Sequence, residues 1–308
     1  MKLSETLKAL SDESRVRIVH ALSLAPLNVQ ELTELLKLSQ PTISHHLKIL
    51  QSASIVTPQK SGTYNFYTLS SNGNQGKQEI IKTLLSAVKF STSHESAEED
   101  SFQISNLLKK RSDSSKSFFE NLESASWQKI KIEALGSRAF FQEIKSRVPS
   151  NLDFADLGCG DGSLLKALLP REGKSIGVDY SSQMLILAKN ELEDFERLVD
   201  LRLGNLEHLP IADNTLDVVS AHMVLRYCPT PSKAISEINR VLKRGGKVIL
   251  VDLKRHAREE MRELYKHLWL GFEDSEIKKW LRENNFCDIE FINIDEEGVA
   301  FLATGIKS

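Results

Sequence analysis

The chain has 308 residues, which suits two domains, and its 41% hydrophobic and 27% charged residues exclude a disordered polypeptide. Its formal net charge of −2 excludes a polycation, so any binding of nucleic acid must come from a local surface. The sequence contains no apolar run of about 18 residues and no signal-peptide pattern, so we expect a soluble, cytoplasmic protein without membrane contact.

The cysteines predict no special chemistry. Cys159, Cys228 and Cys287 are odd in number and far apart in the chain. This spacing provides neither a disulfide framework nor a metal-binding pair. We therefore expect buried or incidental thiols in a reducing compartment, and no metal centre.

The first predicted elements form a helix-turn-helix. The segment LSDESRVRIVHAL has the apolar spacing of a helix, with Ser11 or Asp12 as its N-cap. A second amphipathic helix lies in NVQELTELL, and a short turn leads to a third helix that opens with Pro41. Two short helices joined by a tight turn are typical of this motif, which places its second helix against DNA.

The helix that begins near Pro41 has one apolar and one polar face. Ile43, Leu47 and Leu50 lie on the apolar face, which is predicted to be buried. The polar face carries donors and acceptors that suit base edges and phosphates. The side chains predicted to contact DNA from this face are Gln40, Thr42, Ser44, His45 and Lys48. His46 points to another face, so we interpret His45 and His46 as a DNA contact and a packed side chain rather than a metal pair.

A β-hairpin is predicted to follow. The segment VTPQKSGTYNFYTL is typical of two strands around a turn at Lys60–Thr63, and a hairpin after a helix-turn-helix is a wing. Between Leu35 and Gln78 there is no Asp or Glu, whereas four lysines are present. This local charge suits a surface that faces phosphates, and Lys60 is the predicted contact from the wing.

This region resembles the ArsR/SmtB winged-helix repressors over about residues 3–70. The resemblance rests on LKALSDESRVRIVHAL, on ELTELLKLSQPTISHHLKIL and on the wing with Tyr64 and Tyr67. It implies binding to double-stranded operator DNA and a homodimer in which the helix QEIIKTLLSAVKF faces the partner. The metal site of the metal-sensing members is not implied, because NVQELTELL has no cysteine. A winged helix used only for dimerisation or protein binding remains an alternative.

The predicted domains are a winged-helix domain at 1–90, a linker or helical segment at 91–114 and a catalytic domain at 115–308. The linker interpretation rests on TSHESAEEDS, which is rich in Ser and Glu and poor in apolar residues. From about residue 115 onward, strand-like runs such as FADLG, SIGVD and KVILVDL alternate with helical patterns. That alternation predicts an α/β, Rossmann-like domain with a parallel sheet.

The glycine-rich stretch FADLGCGDG follows the first of these strands. Its glycines, Gly158, Gly160 and Gly162, depart from the G-x-G-x-x-G fingerprint of dinucleotide-binding proteins, because Ser163 takes the place of the third glycine. No phosphate-binding lysine follows, and Asp161 would repel a pyrophosphate. The loop therefore favours a ligand that lacks a diphosphate.

Two further acids define that ligand more closely. Asp179 ends the next predicted strand, where a carboxylate accepts hydrogen bonds from both hydroxyls of a ribose. Asp156 lies just before the glycines and favours a positive centre. A ligand with an adenine, a ribose and a positive centre is S-adenosylmethionine, which we expect as the cofactor.

Residues 115–305 resemble the class I S-adenosylmethionine-dependent methyltransferases. The motifs that carry the resemblance are, in order, DLGCGDG, GVDYSSQML, GNLEHLPIADNTLDVV, SAHMVLRY and INRVLKRGGKVILVDL. By this resemblance the cofactor-binding residues are Asp156, Gly158, Cys159, Gly160, Gly162, Asp179, Tyr180, Met184, Asn205, Leu206, His222 and Leu225. Asn205 departs from the Asp that is frequent at the adenine edge, but its side-chain oxygen can still accept from an amine.

The whole order, a winged helix and then a methyltransferase, resembles the fused ArsR-type regulator/methyltransferase proteins. Transfer of a methyl group from a sulfonium depends mainly on positioning and desolvation, and a general base helps for a hydroxyl or carbon acid. The predicted catalytic residues are His222 and Tyr227 as candidate bases and Arg226 as the binder of an acidic acceptor. His222 has the alternative role of only shaping the pocket, and His267 is predicted at the surface.

The segment SFFENLESASWQKIKIEALGSRAFF resembles the lid helices of these enzymes, with a plain packing helix as the alternative. Three functions stay open at this point. The first is a DNA-binding regulator with an active methyltransferase that acts on a small molecule. The second is a repressor whose methyltransferase-like domain only senses S-adenosylmethionine or S-adenosylhomocysteine. The third is an enzyme whose winged helix serves dimerisation.

Overall fold

The computed structural model describes residues 3–70, 75–88, 94–122, 127, 130, 139–294 and 298–308. These residues form two compact units, 1–111 and 112–308. In the described part of the chain, no helix combines the length and the apolar character that crossing a bilayer requires.

The first unit consists of helices and a small antiparallel sheet with the strand order β1-β3-β2. Its strands are β1 (Leu27–Asn28), β2 (Val56–Ser61) and β3 (Tyr64–Leu69). Its helices are α1 (Leu3–Ala9), α2 (Glu13–Leu24), α3 (Val29–Leu36), α4 (Gln40–Ser52), α5 (Gln75–Val88) and α6 (His94–Glu120), the last of which continues into the second unit.

Side-chain caps fix where the helices of the helix-turn-helix begin. Asp12, rather than Ser11, caps α2 by accepting a hydrogen bond from the Arg15 N–H. Asn28 and Glu31 form a reciprocal capping box at the start of α3. The side chain of Ser39 accepts from the Thr42 N–H and so starts α4. Each cap satisfies a backbone donor that the first helical turn leaves unpaired.

The apolar face predicted for α4 is buried. Ile43, Leu47 and Leu50 are at most 1% exposed and pack with Leu27 and Leu32 in the core of the first unit. The predicted hairpin is present as β2 and β3, which pair from Val56–Leu69 to Ser61–Tyr64. The winged helix-turn-helix fold expected from the sequence is therefore confirmed.

Residues 94–120 form one helix where the sequence analysis predicted a linker or helical segment at 91–114. Two ion pairs hold the first part of α6 in the first unit. Asp100 lies 2.7 Å from Arg17 Nη2, and Glu31 Oε1 lies 2.5 Å from Arg111 Nη2. Asp100 and Arg111, the two α6 residues in these pairs, are 11 positions apart in a segment that is poor in apolar residues. Composition alone therefore did not predict that this helix packs against the first unit.

The second unit is built on a seven-stranded sheet with the order β6-β5-β4-β7-β8-β10-β9. Its strands are β4 (Phe154–Leu157), β5 (Ser175–Asp179), β6 (Val199–Leu203), β7 (Leu216–His222), β8 (Leu242–Leu253), β9 (Phe286–Asn293) and β10 (Ala300–Lys307). Its further helices are α7 (Ala139–Lys145), α8 (Ser163–Leu168), α9 (Ser182–Glu191), α10 (Pro231–Val241), α11 (Glu260–Tyr265) and α12 (Asp274–Glu283).

Five strands of this sheet, from β6 to β8 in spatial order, run parallel, whereas β10 is antiparallel to both of its neighbours. Every residue of β4 and β5 is buried, as expected for parallel strands with both faces covered. From β4 the chain adds β5 and β6 on one side, and it then returns to add β7 and β8 on the other side. The strand order therefore reverses between the neighbouring strands β4 and β7. In open α/β sheets, ligands bind beyond the carboxyl ends of the strands at such a switch point.

Candidate functional site

A cavity lies at the carboxyl ends of β4, β5 and β7. Its lining residues are Phe119, Trp127, Ile130, Phe141, Asp156, Gly158, Cys159, Gly160, Asp161, Ser163, Leu164, Asp179, Tyr180, Met184, His222, Met223, Val224, Arg226 and Tyr227. All of them belong to the second unit. The glycine-rich turn and the ends of three strands thus meet at one site.

Gly158 is required at its position by both conformation and space. Its φ of +72° lies in the left-handed region, and a Cβ at this position would overlap the side chain of Val224. Val224 is itself a lining residue of the cavity. The backbone of the loop therefore passes close to the segment after β7, which a larger residue would push away.

Asp179 holds the glycine loop at the end of β5. Its carboxylate accepts hydrogen bonds from the N–H groups of Gly160 and Ser181, both at 2.9 Å. Burial raises the pKa of Asp179 to about 6, although these backbone donors favour the charged form. The side chain predicted to bind a ribose therefore also positions the loop.

Asp156 and Asp161 add two more buried carboxyl groups. Ser220 Oγ donates to Asp156 at 2.7 Å, and Ser163 Oγ donates to Asp161 at 2.8 Å. Burial, together with the neighbouring carboxylates of Asp179 and Asp161, raises the pKa of Asp156 to about 7, although the hydrogen bond from Ser220 opposes this rise. Three carboxyl groups around one cavity give it a negative potential that favours a cationic ligand.

Aromatic side chains form another wall of the cavity. The ring centroid of Phe119 lies 6.2 Å from that of Trp127, 6.1 Å from that of Tyr180 and 5.1 Å from that of Tyr227. Among the described residues, the buried Trp127 Nε1 and Tyr180 Oη have no hydrogen-bond partner. Buried polar atoms are usually paired, so these two atoms have capacity for a ligand or water.

The cavity has two ends, which we call the Asp179 end and the Arg226 end. The Asp179 end comprises Asp156, Asp161, Asp179 and Tyr180. The Arg226 end comprises Arg226 and Tyr227, with Asp252 and His267 behind them. Asp179 ends β5 and Asp252 lies near the end of β8, three strand spacings apart across the sheet, or about 14 Å.

At the Arg226 end, the residue predicted to bind an acidic acceptor is part of a buried ion pair. Arg226 is 1% exposed, and its Nε lies 3.1 Å from Asp252 Oδ1. Burial raises the pKa of Asp252, and Arg226 opposes this rise. Among the described residues, Arg226 Nη1 and Asp252 Oδ2 have no hydrogen-bond partner. Most of the positive charge is therefore balanced internally, while one donor and one acceptor stay available.

His267 was predicted at the surface, and this prediction was wrong. The side chain is 3% exposed, and its ring centroid lies 5.3 Å from that of Tyr227. Burial, together with the nearby Arg226, lowers the pKa of His267 to about 2. The imidazole is therefore neutral near pH 7. No pattern in the sequence indicates this burial, because the residue lies in a loop after α11.

The predicted catalytic residues His222, Arg226 and Tyr227 all line the cavity. The ring of His222 lies 5.6 Å from that of Phe141 and 6.0 Å from that of Phe140. Burial raises the pKa of Tyr227 to about 12, so this phenol is not a base near neutral pH.

Most of the predicted cofactor-binding residues are brought together, and four are not. The lining includes Asp156, Gly158, Cys159, Gly160, Asp179, Tyr180, Met184 and His222. The residues outside the lining are Gly162, Asn205, Leu206 and Leu225.

The structure gives these four residues other contacts. Gly162 is the N-cap of α8, and the Asn205 side chain accepts from the Glu207 N–H at 2.9 Å. Leu206 and Leu225 are buried, at 4% and 0% exposure. Their predicted contacts with the cofactor remain predictions.

Sequence analysis missed Asp252 as a partner of Arg226, and it left Phe119 and Trp127 undecided between lid and packing. The position of Asp252 near the end of a strand at the ligand-binding edge was the available signal. Part of the predicted lid segment, 117–141, lies outside the described residues. The described part of the chain holds no group of three or more His, Cys, Asp or Glu that suits a metal ion.

The predicted DNA-contacting residues lie on the outside of the first unit. Gln40, Ser44, His45 and Lys48 are exposed on α4, as is Lys60 on β2, whereas Thr42 is half-buried. The Thr42 hydroxyl lies 2.7 Å from the Ser39 hydroxyl at the helix start. His46 is buried, at 8% exposure, so the adjacent histidines point to different surroundings.

Comparison with known families assigns both units. Residues 12–57 match the family described as "Bacterial regulatory protein, arsR family". Residues 155–250 match the family described as "Methyltransferase domain". The chain joins an ArsR-family helix-turn-helix domain to a methyltransferase domain. This assignment agrees with the resemblances in the sequence, with the winged helix and with the glycine loop at the end of β4.

Curated relatives align with the methyltransferase domain. A demethylmenaquinone methyltransferase of Lactiplantibacillus plantarum is 39% identical over 109 residues, which are 33% of this chain and 46% of that protein. One of Lactobacillus johnsonii is 36% identical over 121 residues, which are 37% of this chain and 48% of that protein. The chain thus spans less than half the length of these relatives.

Solved structures show the same fold at low sequence identity. A chain of the complex between the Haloferax volcanii Trm112 methyltransferase activator and a methyltransferase gives a TM-score of 0.53 at 18% identity, covering 59% of this chain and 94% of that chain. An S-adenosylmethionine-dependent methyltransferase of Thermotoga maritima gives a TM-score of 0.51 at 21% identity, covering 63% of this chain and 100% of that chain. These similarities support the Rossmann-like fold of the second unit.

Proposed function

We propose that the protein is a DNA-binding transcriptional regulator fused to an S-adenosylmethionine-dependent methyltransferase that acts on a small molecule. The observation that carries the proposal is the cavity at the carboxyl ends of β4, β5 and β7, where a glycine loop and three buried carboxyl groups meet. The winged helix supports the regulatory part. Cytoplasmic location is part of the same proposal.

The lining of the Asp179 end suits S-adenosylmethionine. Asp179 has lone pairs left for ribose hydroxyls after it accepts from Gly160 and Ser181. Tyr180 and Met184 offer an apolar surface to an adenine, and Asp156 offers negative charge to an ammonium or sulfonium. When bound, this cofactor supplies an activated methyl group on sulfur, whose departure leaves a neutral thioether.

The chain's own residues would orient the reactants and exclude water. Phe119 and Trp127 cover the cavity with apolar surface, and a dry site strengthens the interactions of its carboxylates. His222 lines the cavity next to Asp156 and the glycine loop, where it would border the transferring group. It remains our candidate base, because Tyr227 has a raised pKa.

The acceptor would bind at the Arg226 end. The unpartnered Nη1 of Arg226 suits an oxygen atom of an acidic or carbonyl-bearing acceptor. The relatives named above act on demethylmenaquinone by name, so demethylmenaquinone is the first acceptor to assay. Because the alignment covers less than half of each relative, a screen of small organic acids and phenols should follow this first assay.

The sensor function is a second candidate, and one observation favours it. Arg226 is already paired with Asp252, and Tyr227 is too weakly acidic to ionise near neutral pH. A cavity with few competent bases suits ligand sensing as well as catalysis. Turnover of S-adenosylmethionine in the presence of an acceptor supports the enzyme, and cofactor-dependent DNA binding without turnover supports the sensor.

The regulatory part is tested on the exposed face of α4. We expect Ser44→Glu together with Lys48→Glu to abolish binding to DNA from upstream of the protein's own gene, because both changes bring negative charge to phosphates. Cofactor affinity should not change. Retained DNA binding would show that the recognition helix is wrongly assigned. Sedimentation of the wild type tests the proposed homodimer, in which α5 faces the partner.

The cofactor part is tested by isothermal titration with S-adenosylmethionine and S-adenosylhomocysteine, with and without that DNA. Micromolar binding that changes with DNA present supports a regulator linked to its cofactor, because linkage between two ligands is reciprocal. Binding of neither ligand would overturn the proposed methyltransferase.

A further inference from the structure

The C-terminal end of α6 makes a specific contact inside the second unit. Glu120 is the last residue of this helix. Its Oε1 accepts from the Ser182 N–H at 2.9 Å, and its Oε2 accepts from the Ser182 hydroxyl at 2.9 Å. Ser182 is the first residue of α9, three positions after Asp179 in the chain. A single carboxylate thus joins the end of α6 to the start of α9.

The contact suits the charged form of Glu120. Partial burial opposes the charge, but the hydrogen bonds from Ser182 and the nearby Lys116 outweigh it and lower the pKa of Glu120. The N-terminal end of a helix also favours a negative charge, because its first N–H groups are unpaired. Glu120 is therefore ionised at neutral pH and holds both of its bonds.

A second contact fixes the same part of α6. The buried Ser115 hydroxyl donates to the Lys266 carbonyl oxygen at 3.2 Å. Ser115 and Glu120 are five residues apart, so they hold the helix on either side of its last full turn. The side chain between them that enters the cavity is Phe119.

Phe119 lies where the two ends of the cavity meet. It is 7% exposed, and it makes edge-on contacts with Tyr180 of the Asp179 end and with Tyr227 of the Arg226 end. Its ring also meets that of Trp127 edge-on. The position of this one ring therefore decides how the aromatic wall closes over the cavity.

We infer that Glu120 is a positioning residue for the cofactor: by binding the start of α9 it holds Phe119 against Tyr180 and Tyr227, which shapes the cavity for S-adenosylmethionine. The inference rests on the proposed function, because it assumes that this cavity binds the cofactor. Glu120 itself does not line the cavity. Its effect on the ligand passes through Phe119.

A direct electrostatic role of Glu120 is the competing explanation. The charge of Glu120 contributes to the raised pKa of Asp179, so it affects the electrostatic potential in the cavity. The two roles predict different ligand dependence. Loss of a distant negative charge weakens the sulfonium S-adenosylmethionine more than the neutral thioether S-adenosylhomocysteine. Loss of positioning weakens both ligands equally.

The experiment is a double-mutant cycle on the full chain with Glu120→Ala, Phe119→Ala and the double variant, titrated with both ligands. We expect Glu120→Ala, which removes both hydrogen bonds to Ser182, to weaken each ligand about tenfold, because only part of the lost contact energy reaches the cofactor site. In the Phe119→Ala background, the same change should have almost no further effect, because the residue through which it acts is gone. Additive effects of the two changes would overturn the inference.

Fluorescence of Trp127 gives a readout that ligand affinity alone does not. Glu120→Ala should shift the emission of the unliganded protein to longer wavelength, because Phe119 no longer shields the indole. A Trp127→Phe variant assigns this signal against Trp269 and Trp280. Glu120→Gln, which keeps one acceptor oxygen, should restore part of both affinity and emission.

Two controls keep the outcomes distinct. Glu191→Gln removes a charge at the other end of α9, where Glu191 pairs with Lys166 at 3.0 Å, and should leave affinity unchanged. If Glu120→Ala does not fold, Ser182→Ala tests the same contact from its other side. If the wild type binds neither ligand, the proposed function fails; if the wild type binds and Glu120→Ala binds equally well, only the inference fails.

Discussion

The two ends of the cavity differ in how their charged groups are paired, although the Tyr180 hydroxyl of the Asp179 end also has no partner among the described residues. At the Asp179 end, Asp156, Asp161 and Asp179 each accept a hydrogen bond from a nearby serine or backbone N–H. At the Arg226 end, Arg226 Nη1, Asp252 Oδ2 and both ring nitrogens of His267 have no partner among the described residues. Unpaired polar groups in a buried place are costly, so they point to a ligand or water that pairs with them.

The difference indicates that the two ends of the cavity bind different ligands. At the Asp179 end, hydrogen bonds from the backbone fix the carboxylate, which suits a ligand of fixed shape. The Arg226 end keeps donors and acceptors open and a neutral imidazole close by. This combination suits the proposed binding of a cofactor at one end and of an acceptor at the other.

The largest effect on stability is expected at the Arg226 end. Arg226→Met should lower the free energy of unfolding by about 3–5 kcal/mol, because it leaves the buried Asp252 without its cation. Urea denaturation measures the change. The double variant Arg226→Met with Asp252→Leu should recover most of the loss, since a buried ion pair adds little net stability over apolar side chains.

This pair of variants sharpens the comparison between the ends. If the double variant is stable and still binds S-adenosylhomocysteine, the ion pair is not needed for binding at the Asp179 end. If single Arg226→Met costs less than about 1 kcal/mol, the size of an exposed ion pair, our description of the Arg226 end is wrong.

The largest effect on ligand binding is expected at the Asp179 end. Asp179→Ala should weaken S-adenosylmethionine about a hundredfold or more, because it removes the proposed bonds to the ribose and the acceptor of the Gly160 N–H together. Asp194→Ala, an exposed acid in the segment after α9, is the matched control. Unchanged affinity of Asp179→Ala in a calorimetric titration would refute this position of the ribose.

Prediction from sequence succeeded where the signal is local. The glycines, Asp156 and Asp179 lie within one strand-turn-helix-strand segment, so their spacing alone brings them together. The buried face of α4 was likewise predicted from helical periodicity. Such features need only secondary structure and the order of the elements.

The burial of Arg226 with Asp252 and His267 was not predicted from the sequence, because three distant segments assemble this group. Arg226, Asp252 and His267 come from different loops and strands, and only the packed structure shows that they are buried together. Periodicity cannot reveal the burial of a charged residue, since most Arg and Asp side chains are exposed. The position of Phe119 depends in the same way on the Glu120 contact with Ser182.

A smaller effect is expected from replacing Gly158, where a side chain has a conformational cost and a steric cost. Gly158→Ala should destabilise the protein by about 2 kcal/mol and weaken cofactor binding, since it combines a positive φ with a clash against Val224. Gly245→Ala is the matched control: its φ is +78°, but nothing lies within 4 Å of the new Cβ. It should cost about 1 kcal/mol, for conformation alone.

A second-site change tests the clash itself. Val224→Ala should restore part of the stability of Gly158→Ala and have no such effect on Gly245→Ala. Thermal unfolding of the four variants measures both differences. Equal losses at the two glycines would mean that the close approach of the loop to Val224 is not what requires glycine at residue 158.

The smallest expected effect is a pH dependence that belongs to the Asp179 end. Burial raises the pKa of Asp156 to about 7 and that of Asp179 to about 6, above the value of about 3.8 that aspartate has in an unfolded chain. The folded protein therefore holds these protons more tightly than the unfolded chain. This contribution to stability is fully present below about pH 3.8 and is lost as the pH rises through 6 and 7.

Affinity for a cation should change in the opposite direction, because only ionised carboxyl groups attract it. We expect S-adenosylmethionine to bind about tenfold more weakly at pH 5.5 than at pH 7.5, one unit of pKa being worth a factor of ten. S-adenosylhomocysteine, which has no sulfonium, should lose less affinity over the same range, and Asp156→Asn should flatten the difference between the two ligands. If both ligands weaken in parallel and Asp156→Asn changes nothing, the negative potential of the Asp179 end does not select for positive charge, and the contrast between the two ends rests on hydrogen bonding alone.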